Sequence, residues 1–210
     1  MNTIELFSGT KSFSKVAKAL GHSTLTIDND MYLDPDCVKD ILDINTLDYR
    51  KTYERYDVLW ASPPCTAFSV ASIGKNWNQD KTPKSENALL GLKLLEKTIE
   101  LISNNNIGFW FIENPRGMMR IVIDNLFKKY NITNYKRVTV SYCQYGDDRM
   151  KPTDIWTNCL NWNPKPLCKP KSDCHVSAPR GSKTGTQGLK GAKERGVIPP
   201  ALFKEIFSSI

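Results

Sequence analysis

Apolar positions in the first three quarters of the chain follow two alternating rhythms, short unbroken blocks and longer stretches with helical spacing. Thr3–Phe7 predicts a strand, a turn follows at Ser8-Gly9-Thr10, and Ser12–Leu20 predicts a helix. In that helix Phe13, Val16, Ala17 and Leu20 share a face, Ser12 is placed as its N-cap, and Gly21 ends it. Thr24–Ile27 predicts a second strand, and Asp57–Ala61 a third that Pro63-Pro64 stops. Leu89, Leu92, Leu95, Ile99 and Ile102 mark a long helix over Ser85–Ser103. Gly108–Ile112 is too short for a helix and reads as a buried strand. This alternation predicts an α/β fold with a doubly wound, mostly parallel sheet.

Beyond Asn161 the alternation stops. Seven of the 12 prolines lie at or after Pro152, and five of the 12 glycines lie between Gly181 and Gly196, so this segment is expected to be rich in loops. Pro200–Phe207 predicts a short closing helix. Charge divides at the same place. The net charge is +7, yet residues 1–164 hold 20 basic and 19 acidic side chains, whereas residues 165–210 hold 9 and 3. A basic tail on a neutral body points to a polyanionic partner, most often nucleic acid. No apolar run is long enough for a transmembrane helix, and the N-terminus has no signal-peptide pattern. The six cysteines are therefore expected as reduced thiols of a cytoplasmic protein.

Chemistry concentrates at the predicted strand ends. Gly9 lets a ligand approach the first turn closely, and Asp28, at the end of the second strand, is placed to accept hydrogen bonds from two ribose hydroxyls. Asp43-Ile44 offers a second acid suited to an adenine amino group. With Lys11 its only nearby cation, the turn suits an adenosine without phosphates. Trp60-Ala61-Ser62-Pro63-Pro64-Cys65 runs a strand into two prolines that restrict where Cys65 points, making its thiol a candidate nucleophile. Phe109-Trp110-Phe111-Ile112-Glu113-Asn114-Pro115 delivers Glu113 to the same edge, where it is suited to proton donation.

Together these residues resemble the DNA cytosine-5 methyltransferase family. Leu6-Phe7-Ser8-Gly9 is similar to its Phe-x-Gly-x-Gly motif, Asp28 to its ribose-binding acid, and Asp43-Ile44 to its adenine-contacting pair. Pro63-Pro64-Cys65-Thr66-Ala67-Phe68-Ser69 is similar to Pro-Cys-Gln-x-Phe-Ser, and Glu113-Asn114-Pro115 to Glu-Asn-Val. The resemblance implies a Rossmann-like catalytic domain over 1–158 that binds S-adenosylmethionine through Phe7, Ser8, Gly9, Thr10, Asp28, Asn29, Asp43, Ile44 and Pro63. It implies that Cys65 adds to C6 of a flipped cytosine while Glu113 hydrogen-bonds the ring. Arg149 and Lys151 stand in place of a Gln-x-Arg-x-Arg motif and are expected to orient the base or its phosphates. Departures are Lys11 at the second glycine, Thr66 for Gln, and Asn29 where the family stacks an aromatic ring on adenine.

The family's large recognition region is reduced to 159–196, as in short phage-encoded relatives, and 197–210 is expected to pack back on the core. Within 159–196, Arg180, Lys183, Thr184, Gln187 and Lys190 are the candidate nucleic-acid contacts. Cys159, Cys168, Cys174 and His175 are candidate zinc ligands. Their spacing lacks a Cys-x2-Cys knuckle, so free thiols are the favoured reading and no metal is assigned. A monomer acting on DNA is expected. The competing readings are an RNA (tRNA) cytosine-5 methyltransferase and a non-catalytic nucleic-acid binder.

Overall fold

A computed structural model describes residues 1–47, 55–169, 172–176, 189 and 191–210. Seven strands form one sheet: β1 (Asn2–Leu6), β2 (Ser23–Asp28), β3 (Cys37–Val38), β4 (Tyr56–Ala61), β5 (Ile107–Pro115), β6 (Lys136–Ser141) and β7 (Pro152–Thr157). Their order is β3-β2-β1-β4-β5-β7-β6. The first five strands run parallel, and β7 is antiparallel to both its neighbours. The fold is therefore a doubly wound, mostly parallel α/β architecture, with one reversed strand near its edge.

Both faces of the sheet are covered, which is why central β4 and β5 carry the unbroken apolar runs Val58–Ala61 and Phe109–Ile112. On β4, Val58 and Trp60 face one layer, and Leu59 and Ala61 the other. The first layer holds α1 (Ser12–Ala19) and the C-terminal helix, where Phe13 stacks on Trp60 and Phe203 meets Trp60 edge-on at 4.8 Å. The second holds α2 (Ile73–Asn76), α3 (Glu86–Asn104) and α4 (Met119–Lys129). Between β7 and the chain end lie α5 (Ala192–Gly196) and α6 (Pro200–Phe207). α5 adds one helical turn to a segment expected to be loop. Arg120 of α4 forms a forked ion pair with Asp154 of β7, whose Oδ1 also accepts from Thr139 Oγ1 at 2.7 Å. That pairing satisfies a fully buried carboxylate at the sheet's far side.

Register explains where the site forms. Leu6 pairs with Ile27 and Ala61, and Ala61 with Ile112, so one row crosses four adjacent strands. The next residues, Phe7, Asp28, Ser62 and Glu113, all emerge at the carboxyl edge. The strand order reverses between β2-β1 and β4-β5 at this edge, where open α/β sheets bind ligands.

The start of α1 departs from expectation. Lys11, with φ of 56°, holds the N-cap position and no side chain caps the helix there; Ser12 is its first residue. The amides of Phe13 and Ser14 are met instead by the Glu5 carboxylate, at 3.3 and 2.9 Å, from within β1. Ser12 Oγ instead accepts from Ile198 N at 3.2 Å. Burial raises the Glu5 carboxyl to about 7, against the opposing hydrogen bonds from Ser14 and Phe13.

Folded Glu5 thus holds its proton more tightly than unfolded Glu5. Its favourable contribution is complete below its ordinary value of 4.5 and is lost as pH rises through about 7. Relative to Glu5→Gln, the wild-type chain is expected to lose about 3 kcal/mol of stability between pH 4.5 and 8. Urea titrations of both proteins across that range check this, and parallel pH curves would refute it.

Candidate active site at the carboxyl edge of the sheet

A cleft of about 470 Å³ opens along this edge, bounded by Phe7–Thr10 on one side and Cys65, Glu113 and Lys151 on the other. A smaller recess of about 60 Å³ adjoins it, and Phe7 and Pro64 line both. The β1–α1 turn is built for close approach. Phe7 and Gly9 both have positive φ, of 56° and 46°. A non-glycine residue held there stores strain of the kind found at binding sites. Gly9 N donates to Asp28 Oδ2 at 2.8 Å, tying the turn to the end of β2. Ser8 Oγ lines the cleft, is buried, and has no hydrogen-bond partner among the described residues. A buried hydroxyl left without a partner suits a polar ligand group.

Cys65 sits in a tight turn whose carbonyl accepts from Phe68 N and Ser69 N at 3.1 and 2.9 Å. Buried Asn76 donates to the carbonyls of Thr66 and Ala67, and Trp77 Nε1 to that of Ala67. The turn is locked at two points, one in β5 and one at the start of α4. Asn114 Nδ2 donates to Pro63 O at 2.8 Å, and Met118 N donates to Phe68 O at 2.7 Å. At the second point only glycine fits, because a Cβ on Gly117 would lie 2.0 Å from Phe68 O. Cys65 itself is exposed in the cleft. Partial desolvation raises its thiol pKa and the Glu113 carboxylate adds to this, while Lys151 and Arg195 oppose them. Free Cys65 is therefore a thiol that needs a base or a rearranged charge to react.

Glu113 is 5% exposed and accepts from Tyr142 OH at 3.1 Å. Tyr142 follows β6, and Lys151 precedes β7, so the reversed strand brings Lys151 beside Glu113. Burial lowers the Lys151 ammonium pKa while Glu113 resists the shift, and its Nζ lies 4.7 Å over the Tyr142 ring.

Residues 1–134 match the model of the C-5 cytosine-specific DNA methylase family. The chain belongs to this family. It is 32% identical over 228 residues to the "Probable DNA (cytosine-5)-methyltransferase" of Frog virus 3 (isolate Goorha), covering 98% of each chain. Its fold is similar to a protein described as a DNA modification methyltransferase from an E. coli prophage, with a TM-score of 0.57 and 16% identity. It is also similar to the Entamoeba histolytica methyltransferase EhMeth, with a TM-score of 0.56 and 15% identity. These matches cover 80% and 75% of this chain but only 52% of either solved structure, so the chain spans about half their length.

Around this cleft the structure places several expected residues elsewhere. Phe7, Ser8, Gly9, Thr10 and Pro63 line the main cleft, and Asp28 and Asn29 the recess. Asp43 is exposed and Ile44 fully buried in the core, and neither lines either space. The preceding Asp40-Ile41 lines the recess instead, so of two Asp-Ile pairs the earlier one stands at the edge. Arg149 is not free to hold a base or phosphate. Its guanidinium donates to Asp147 and to the carbonyls of Glu194, Arg195 and Val197, which engages every nitrogen. Its effect is to hold α5 over the cleft, which brings in Lys193 and Arg195, two cations that sequence reading did not single out. Tyr142 was also missed; a lone aromatic residue carries no signal of a partner 29 positions away.

Cys159 is buried with the α6 core, and the thiols that gather with Cys168, Cys174 and His175 belong instead to Cys143. All six cysteines are free. Arg180, Lys183, Thr184, Gln187 and Lys190 lie outside the described residues. No described helix is long and apolar enough to cross a membrane.

Arg149→Met would leave half-buried Asp147 with only the residue-149 backbone amide and release three carbonyls. The loss of these charge-assisted hydrogen bonds is expected to cost about 2 kcal/mol. It should also raise KM for DNA more than it lowers kcat, through displaced Lys193 and Arg195. Thermal unfolding and steady-state kinetics check this, and unchanged values of both would refute the role.

Proposed function

We propose that this chain is a DNA cytosine-5 methyltransferase whose nucleophile is Cys65 and whose cofactor is S-adenosylmethionine. The observation that carries this reading is the convergence of Cys65 and Glu113 on one cleft, with their loops locked by the Asn114–Pro63 hydrogen bond. A thiol and a buried carboxyl at the switch point are of no use to a simple binder. They meet the two demands of cytosine C5 chemistry.

Cytosine C5 is a poor nucleophile until C6 carries an adduct. The Cys65 thiolate forms the S–C6 bond, and the displaced π electrons make C5 electron-rich. Glu113 hydrogen-bonds the ring N3 and exocyclic amine, stabilising the charge as it redistributes. Tyr142 OH, donating to Glu113, keeps that carboxyl oriented. When bound, S-adenosylmethionine supplies an electrophilic methyl group for C5. Loss of the C5 proton then expels the Cys65 thiolate and restores the ring. The base is presented outside the stack, by flipping or from a single strand.

Phe7, Ser8, Gly9, Thr10, Asp28, Asn29 and Pro63 would hold the cofactor, with Asp28 on its ribose. The adenine-contacting role passes from Asp43-Ile44 to Asp40-Ile41. Ser8 Oγ, otherwise without a partner among the described residues, fits a polar group of this ligand. Lys193 and Arg195 supply positive charge for a phosphate backbone at the mouth of the cleft. Lys151, whose Nζ donates to the Arg195 carbonyl at 2.9 Å, lies deeper beside Glu113, where it can orient the base or its phosphates. Residues 1–158 act as the catalytic domain, 159–196 as a reduced recognition segment including Arg180, Lys183, Thr184, Gln187 and Lys190, and 197–210 as a helix closing the core. The enzyme works as an intracellular monomer.

Purified protein with labelled S-adenosylmethionine is expected to methylate DNA and not RNA. Cys65→Ala should abolish transfer while retaining cofactor binding, and Glu113→Gln should lower kcat by about 100- to 1,000-fold. DNA containing 5-fluorocytosine should trap a covalent adduct at Cys65, since fluorine cannot leave as a proton does. Transfer by Cys65→Ala, or no adduct from active enzyme, would overturn the mechanism. Transfer to RNA alone would overturn the substrate.

The raised Cys65 thiol makes a second, independent expectation. Alkylation of Cys65 by iodoacetamide at pH 8 should be slower than that of a free cysteine, and Lys151→Met should slow it further by removing a favourable charge. Peptide mapping against time measures both rates. An unchanged rate in Lys151→Met would remove Lys151 from this role.

A further inference from the structure

We infer that Cys143, Cys168, Cys174 and His175 form a tetrahedral structural zinc site that fastens the basic C-terminal segment to the turn after β6. The four ligand atoms lie within 4.8 Å of one another, the only such group of three or more found among the described residues. Cys168 Sγ is 3.1 Å from Cys174 Sγ, and Cys174 Sγ is 3.5 Å from Cys143 Sγ. His175 turns Nδ1 toward the group, 3.4 Å from Cys168 Sγ and 3.7 Å from Cys174 Sγ. Around one zinc ion, with Zn–S of about 2.3 Å and Zn–N of about 2.0 Å, tetrahedral geometry separates S from S by about 3.8 Å and S from N by about 3.5 Å. The observed spacings lie close to those of one metal's ligand shell.

A disulfide accounts for less. It would engage two of the three sulfurs, at about 2.05 Å, and would leave the third thiol and the imidazole converging without a purpose. Three sulfurs and one nitrogen select zinc over calcium or magnesium, which take oxygen. The surroundings suit thiolates: the Gln144 side-chain amide donates to Cys174 Sγ at 3.4 Å. The frame is also set without the metal. Cys168 N donates to Ser141 Oγ at 3.1 Å, and Val176 N donates to Asp148 O at 2.8 Å, so both ends of the ligand loop are pinned.

Such a site has a clear physical use. The described residues between Cys168 and Val176 form no helix or strand, and the stretch holds few apolar side chains. A metal supplies cohesion where a core cannot. Cys143 follows Tyr142 directly, and Tyr142 donates to Glu113, so the same ion would brace the turn that orients the catalytic carboxyl. The inference does not depend on the substrate, because metal content is measured without turnover.

The test is metal analysis of untagged, full-length protein purified without chelators, followed by titration of the metal-stripped protein with zinc alone. One zinc per chain is expected for the wild type and for Cys159→Ser, and at least tenfold lower occupancy for Cys143→Ser and His175→Ala. Cobalt(II) substituted into the wild-type protein should give the intense d–d absorption of a tetrahedral thiolate site together with sulfur-to-cobalt charge transfer. That spectrum decides the matter if the variants do not fold. Three results would each overturn the site: no metal retained or taken up by the wild type, full occupancy in folded Cys143→Ser, or a native disulfide between Cys168 and Cys174.

Discussion

The buried hydrogen bond from Asn114 to the Pro63 carbonyl is the constraint on which the site's geometry depends. Asn114 is fully buried at the end of β5, and Pro63 is the first of two prolines after β4. A polar side chain in such a place is costly unless paired. Its Nδ2 is met by Pro63 O while its Oδ1 has no partner among the described residues, so this one hydrogen bond fixes the Pro63 loop against the end of β5. Gly117 and Phe68 repeat the lock one step further on, at a backbone approach that excludes any side chain. Between these two fastenings Cys65 has little freedom in where it points. Glu113 has less still, since it remains in the sheet.

The cleft's other wall is made by distant parts of the chain. Arg149 gathers the carbonyls of 194, 195 and 197, and Ile198 N reaches Ser12 at the start of α1. A guanidinium spent in this way resembles a rivet more than a ligand-binding group. It explains how a segment of one helical turn can hold Lys193 and Arg195 over a cleft built by the sheet. Two chain regions of opposite character meet here: an almost neutral α/β body and a tail carrying most of the positive charge.

Much of this was legible before any coordinates. Strands with unbroken apolar runs, such as Val58–Ala61 and Phe109–Ile112, announce burial on both faces. The apolar spacing likewise announces α3, although Leu89 of its expected face is exposed and Ala88 and Gly91 are buried beside Leu95, Ile99 and Ile102. Pro-Pro-Cys and Glu-Asn-Pro were readable because each is local, a handful of consecutive residues at a strand end. The readings that moved all concern distant partners. Ser12 has the chemistry of a cap, but Glu5 in the preceding strand reached the amides first. Asp43-Ile44 and Asp40-Ile41 are the same dipeptide, and only the path of the 3-10 turn over Ile41–Asp43 shows which faces the recess. Arg149 and Cys159 have the right chemistry, yet their neighbours in space are backbone carbonyls and the α6 core.

The sequence alone therefore determined the fold class, the motifs that bring Cys65 and Glu113 to one sheet edge, and the place where charge accumulates. Those properties reside in composition, periodicity and short motifs, which neighbouring residues enforce. The tertiary structure decided which candidate groups are free and which are already engaged. Hydrogen bonds and packing between segments dozens of residues apart consume donors, bury acids and gather thiols. Nothing in the local order of residues records those meetings.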